Sequence, residues 1–194
     1  MRYDRKQEAG MDLTGQLLIA MPGMGDPRFA RSVVFICAHS DAGAMGLIVN
    51  KPAGDMQLSE VFSRMDIHAS ADAAKGPVYY GGPVETERGF VLHREAEGLG
   101  PDALLVQGGY ALTATQDILV ALSKGFGPVP FLFALGYSGW STGQLEQEIA
   151  DNGWLTAPVS AEVIFDVAHG EIWDAALRSI GIDPVSLSAA AGRA

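Results

Sequence analysis

In this chain of 194 residues, the segment whose residue types and spacing come nearest to chemistry is Gly136-Tyr137-Ser138-Gly139-Trp140. A serine flanked by small residues, after an apolar run and before a helix signal, has the setting of a strained strand-to-helix turn that exposes a nucleophilic hydroxyl. Asp151 or Asp166 followed by His169 completes the order Ser, Asp, His. The chemistry would be that of an esterase-like hydrolase, with Ser138 as nucleophile and His169 as base. The fifth position weighs against it. Such a turn needs glycine there so that strand and helix can pack closely, and Trp140 occupies it. A structural strand-to-helix turn is the stronger reading, and the hydrolase stands as the alternative.

Other fragments fall further short. Gly23-Met24-Gly25 follows an apolar run like a phosphate-binding turn, but Pro27-Arg28 replaces the third glycine of the dinucleotide fingerprint. His169 with Glu171, and His93 with Glu95, are close pairs that belong to no four-ligand spacing, so structural or surface histidines are expected and no metal or other cofactor is called for. Glu146 with Glu148, and Glu85 with Glu87, read as solvated charges, because paired catalytic carboxylates are defined by a separation in space. The single cysteine, Cys37, lies in an apolar run and should pack as a small hydrophobe. It cannot form an internal disulfide, which suits a reducing cytoplasm.

Charge narrows the partners. The formal net charge of −10 repels nucleic-acid backbones and anionic lipid surfaces. Between Gly125 and Leu177 there is no Lys or Arg but seven carboxylates, so that half cannot be a nucleic-acid surface. Arg28, Arg31, Lys51 and Arg64 could form a small patch beside His39, although separate solvated charges are the expectation. No apolar stretch approaches the roughly 20 residues of a membrane-spanning helix, and nothing at the start reads as a secretion signal.

The elements that must position these residues are short. Hydrophobic residues at 48% and charged residues at 19% describe a globular chain, most economically one domain over residues 13–182 with a mobile arm at 1–12 and a fraying tail at 183–194. The clearest element is a hairpin, Val33–Ala38 and Met45–Val49, turned by Asp41 and Gly43 and closed by Pro52. Gly15–Met21 is a further strand. Leu58, Val61, Phe62 and Met65 give one apolar helical face with Asp55 as its cap. Val78–Tyr80 and Gly89–His93 read as strands joined through Gly81-Gly82-Pro83 by a hairpin or bulged turn.

Leu104–Gln107 is a strand before a Gly108-Gly109 turn, and Thr113 with Gln116 has capping-box spacing for a helix to Lys124. Phe131–Leu135 is a buried strand, Gly136–Gly139 a turn, and Ser141 with Gln144 caps a helix that stops at Asn152-Gly153. Trp154–Val159 is extended, and Ile172–Ile180 is an amphipathic helix ending at Gly181. Hairpins without a strict βαβ alternation predict an α+β fold.

Three segments together resemble the signature blocks of the AlgH/YqgE family, in that family's order and spacing: Gly15–Pro52, Gly81–His93 (GGPVETERGFVLH) and Gly136–Leu155 (GYSGWSTGQLEQEIADNGWL). The similarity covers Leu13 to Ile182. It implies an irregular, branched, largely antiparallel sheet flanked by helices in a cytoplasmic bacterial protein with a link to transcriptional regulation, and it implies no reaction. The family's third block is commonly GYAGW, so Ser138 looks like a tolerated small residue. Residues in these blocks that the fold does not obviously demand are the binding candidates: His39, Asn50, Lys51, Arg88, Tyr137, Trp140, Gln144 and Glu146. Structural duties for Asn50 as a turn cap, Trp140 as core and Gln144 as a helix cap compete with that role. The expectation is a non-enzymatic regulatory or adaptor protein that binds a protein partner or a small metabolite through a cleft beside the Gly-rich turns. Direct DNA binding is the weaker expectation.

Overall fold

The computed structural model describes residues 12–95 and 102–191; the expected N-terminal arm falls outside the described residues except for Asp12. Ten strands form one curled sheet: β1 (Gln16–Ala20), β2 (Val33–Ser40), β3 (Gly43–Ile48), β4 (Pro52–Gln57), β5 (Pro77–Tyr80), β6 (Val84–Arg94), β7 (Leu104–Val106), β8 (Tyr110–Thr113), β9 (Phe131–Ser141) and β10 (Trp154–Pro158). The helices are α1 (Leu58–Arg64), α2 (Gln116–Ser123), α3 (Gln144–Ala150), α4 (Ala161–Phe165), α5 (Ile172–Ser179) and α6 (Pro184–Ala191). The α+β expectation holds.

The strand order is β10-β1-β2-β3-β9-β6-β8-β7, and the sheet branches where β5, carrying β4, also pairs with β9. All pairings are antiparallel except β5 with β9, where Tyr79 lies opposite Ala134 and Tyr80 opposite Leu135.

Period-2 alternation sorts the strands between two cores. Leu17, Ile19, Val33, Phe35 and Cys37 face one side with α4 and α5, while Leu18, Ala20, Val34 and Ile36 face the other with Leu145 of α3. Both faces of β1 and β2 are therefore covered, which is why their sequences read as continuous apolar runs. A third cluster packs Leu58, Val61 and Phe62 of α1 and Ile118, Leu119 and Leu122 of α2 against Val78, Val91 and Phe133.

Several expectations are corrected. The β2–β3 hairpin does end before Pro52, but the chain stays extended: Pro52 opens β4, whose edge pairing with Tyr79 tolerates a missing N–H. Asp55 lies in that strand and does not cap α1; Gln57 and Glu60 do, as a reciprocal capping box. Thr113 ends β8, and Thr115 is the N-cap of α2. Residues 161–165 coil into α4, and the segment after Pro184 is helical.

The two Gly-rich spots are not turns. β9 runs unbroken through Gly136 to Ser141, with its first half against β6 and its second against β3. Gly81-Gly82 lies flush on this strand: a Cβ at Gly82 would strike the Tyr137 carbonyl, and one at Gly136, where φ is 71°, would strike the Gly82 carbonyl. Close backbone approach in a left-handed conformation is what requires glycine at this crossing. β5 and β6 accordingly flank β9 and do not form a hairpin with each other.

Candidate functional site

Where β9 meets the start of α3, two clefts share Gly139 and Trp140 as a common wall. The first, of about 720 Å³, opens over the β2–β3 hairpin and is lined by His39, Arg88, Phe90, Tyr137 and Trp140, among others. The second, of about 570 Å³, lies under the Gly23–Phe29 loop and is lined by Asp26, Arg28, Phe29, Trp140, Gln144 and Glu148, among others. Both volumes fall in the range of about 300–1,000 Å³ typical of small-ligand sites.

His39 is positioned on three sides. Its side chain is only 3% exposed, the Leu13 N–H donates to Nδ1 at 3.1 Å, and Nε2 stands 2.8 Å from Glu146 Oε1. An N–H facing Nδ1 leaves the proton on Nε2, which donates to the carboxylate. The Glu146 carboxyl is held below its usual range chiefly by its own backbone N–H, against the opposing effect of burial, with His39 lowering it further.

Two residues further along α3, Glu148 points into a different environment, since i and i+2 positions do not share a helix face. Trp140 Nε1 and Trp154 Nε1 donate to its Oε2 at 2.9 and 2.8 Å, and Gln144 Nε2 donates to Oε1 at 2.9 Å. Gln144 also accepts from the Ser141 N–H at 3.0 Å through Oε1, half of the capping box its spacing predicts; the N-cap itself is Gly143. Phe29, placed by a 3-10 turn at Pro27–Phe29, stacks edge-on to Trp154 and tilted over Trp140 at centroid distances of 5.6 and 6.5 Å. One carboxylate thus clamps two indoles that join β9, α3 and β10.

Arg88 pairs with Glu85 at 3.0 Å and lies over the Phe90 ring, which meets Tyr137 edge-to-face at 5.9 Å. The remaining candidates stand apart. Asn50 is structural: Oδ1 accepts from the Val33 N–H and Nδ2 donates to the Arg31 carbonyl, both at 2.8 Å, which secures the start of β2. Lys51 Nζ donates to the Arg28 carbonyl at 2.7 Å and lines neither cleft, and burial lowers its pKa. Arg28 pairs with Asp26 and Arg31 with Asp174, while Arg64 lines a separate cavity, so among the described residues these cations form no patch beside His39.

The serine hypothesis meets its correction here. Ser138 is mid-strand and fully buried, with Oγ donating to the Gly81 carbonyl at 3.2 Å. It shares its sheet face with Trp140 of the α3 core, whereas His169 is exposed in the turn before α5, which packs on the opposite core. His93 is also buried, hydrogen-bonded to the Arg94 carbonyl and to Thr113 Oγ1, and Cys37 is a core residue whose thiol is pushed up to about 12 by burial. Among the described residues no group of three or more His, Cys, Asp or Glu side chains could hold a metal.

Sequence reading missed Phe29, Asp26 and Arg28 as cleft walls, and took Glu148 for a solvated charge. The available signal was the pair Trp140 and Trp154 on either side of one short helix. Buried indole N–H groups need an acceptor, and the acceptor had to come from α3.

A family model described as AlgH-like matches residues 17–185. The chain belongs to the AlgH-like family. A UPF0301 protein of Ruegeria pomeroyi is 54% identical over 185 residues, spanning 95% of this chain and all of that one. One from Ralstonia nicotianae is 50% identical, covering 96% of this chain and 98% of its own. Among solved structures, the AlgH protein of Pseudomonas aeruginosa aligns with a TM-score of 0.78 at 41% identity over 97% of this chain and all of its own. A Corynebacterium diphtheriae protein aligns at 0.65 and 21% identity, over 89% of this chain and 88% of its own, and shares the fold. In this AlgH-like chain the three sequence blocks that carry the resemblance converge at the β9 crossing: Gly81-Gly82, Gly136-Tyr137 and the Gly23–Phe29 loop that reaches Trp140. No helix among the described residues is long and apolar enough to cross a membrane.

Proposed function

We propose that this protein is a non-enzymatic regulatory or adaptor protein of the cytoplasm that recognises a small polar metabolite in the paired clefts around Trp140. The single observation that supports this reading is the shared wall. Gly139 and Trp140 face both clefts, and α3 anchors each of them, through Glu146 to His39 and through Glu148 to the two indoles. A ligand on either side would meet walls already ordered by internal hydrogen bonds, which lowers the entropic cost of binding. The polar groups at the junction are engaged with one another, an arrangement suited to recognition. A link to transcriptional control would then run through ligand-dependent contact with another protein, since the charge of −10 disfavours a nucleic-acid surface.

The test is a thermal-shift screen of the full chain against metabolites and nucleotides, repeated with Arg88→Ala and Gln144→Ala. A ligand at about 100 times its Kd raises stability by roughly 2.7 kcal/mol. The reading predicts a hit that is lost in at least one variant. A hit indifferent to both, or no hit at all, overturns the metabolite site and leaves a protein partner as the occupant of this surface.

A further inference from the structure

A third cavity, of about 450 Å³, lies on the far side of β6 and β9 from the Trp140 clefts, roofed by α1 and α2. Its interior is mostly apolar: Val61, Val91, Ile118, Leu119 and Phe133 are each under 10% exposed, while Thr86, Thr113, Thr115 and Gln116 add polar groups to the lining. Its mouth carries opposite charges. Arg64 stands in the last turn of α1 and Glu87 on β6, and both line the cavity. Neighbouring charges on the same elements are neutralised locally, as Arg88 is by Glu85. Among the described residues, however, neither the Arg64 nor the Glu87 side chain makes an ion pair or hydrogen bond.

We infer that this cavity binds a free apolar α-amino acid. The side chain would enter among the aliphatic and aromatic walls, the carboxylate would meet the Arg64 guanidinium, and the ammonium would meet Glu87. The charge pattern selects this class over simpler amphiphiles. A fatty acid would satisfy Arg64 but be repelled by Glu87, and an alkylamine the reverse, while a zwitterion satisfies both charges at once. The apolar interior supplies affinity and the two fixed charges supply orientation, the usual division of labour in small-molecule sites.

The site also has a built-in control. Gly89 lies against the Phe133 ring, and a Cβ there would come within 2.7 Å of it. Gly89→Ala would therefore displace that ring, which is part of the cavity wall, without touching either charge.

The experiment is isothermal titration of the full chain with leucine, 4-methylpentanoate and 3-methylbutylamine, followed by phenylalanine and its two single-charge analogues. Saturable binding of at least one amino acid is expected, with each single-charge analogue weaker by about tenfold or more, a difference of about 1.4 kcal/mol. Arg64→Met should weaken the amino acid about tenfold and, by removing the repulsion, leave the amine bound as tightly as before or more tightly. Glu87→Gln should weaken the amino acid and, by removing the repulsion, leave the carboxylate bound as tightly as before or more tightly. Both side chains are exposed, so these variants fold, and Gly89→Ala should reduce binding of all ligands alike. Equal affinity for amino acid and analogues, binding indifferent to both charge variants, or no saturable binding at millimolar amino acid would overturn the inference. Loss in the Arg88 variant instead would move the ligand to the Trp140 clefts.

Discussion

Glu148→Ala removes at once the acceptor that two indole N–H groups share, and its cost follows from their burial. Trp140 is 7% exposed and Trp154 is 2% exposed, and each donates to Glu148 Oε2 at under 3 Å. A buried donor left without a partner costs about 1–3 kcal/mol, and the cleft beside Trp140 allows water to recover part of that. Two such donors give a loss of about 2–4 kcal/mol, which in a chain of this size lowers Tm by about 4–16 °C. Glu148→Gln keeps a carbonyl oxygen for the indoles and gives up only the charge assistance, so it should cost about 1 kcal/mol. The assay is urea denaturation followed by tryptophan fluorescence, with the parent and the two variants compared at a common slope. Stability of Glu148→Ala within about 0.5 kcal/mol of the parent, or equal losses in the two variants, would refute the clamp. The first outcome would mean the indoles find other acceptors, and the second that the carboxylate's charge alone matters.

Asn50→Ala should cost about 1–3 kcal/mol in the same assay, because the Val33 N–H, at the buried start of β2, loses its acceptor; an unchanged midpoint would mean water replaces the amide. His93 predicts a pH dependence: burial lowers its pKa, outweighing the opposing hydrogen bond to the Arg94 carbonyl, so below about pH 6.5 the unfolded chain takes up a proton that the folded chain refuses. Stability must then fall as pH drops through that value, ahead of the loss from Asp12 and Glu146 nearer pH 4, and His93→Gln should flatten the first decline when unfolding is followed from pH 8 to 5; a parallel curve would place the titration elsewhere.

How much of this was legible in sequence divides along a physical line. Short-range patterns carried well: the Val33–Ile48 hairpin, the Leu58, Val61, Phe62 face, the stop of α3 at Asn152 with φ of 58°, and the amphipathic α5 all follow from periodicity and local backbone preference. What failed was the meaning of glycine. Gly81-Gly82 and Gly136–Gly139 carry turn chemistry, yet each is a place where one backbone lies against another, a relation between residues more than fifty positions apart that no local window contains. Reading Gly136–Gly139 as a turn also put Ser138 at an exposed elbow, so the hydrolase idea and the strand error had one cause. The site was half visible. His39, Arg88, Tyr137, Trp140, Gln144 and Glu146 gather around the clefts because they share the family blocks, whereas Asn50 and Lys51 share those blocks for structural reasons.

The role of β9 has a consequence for how the chain is made. It is the one strand that touches β3, β5 and β6, so residues 131–141 close the sheet from both sides. At about 5–20 residues per second, a ribosome exposes the β2–β3 hairpin several seconds before that strand exists. During that interval the outer edge of β3 offers unpaired N–H and C=O groups beside Leu47 and Ile48. The nascent chain is then most open to mispairing, and that exposure ends only when residues 131–141 emerge and pair with β3.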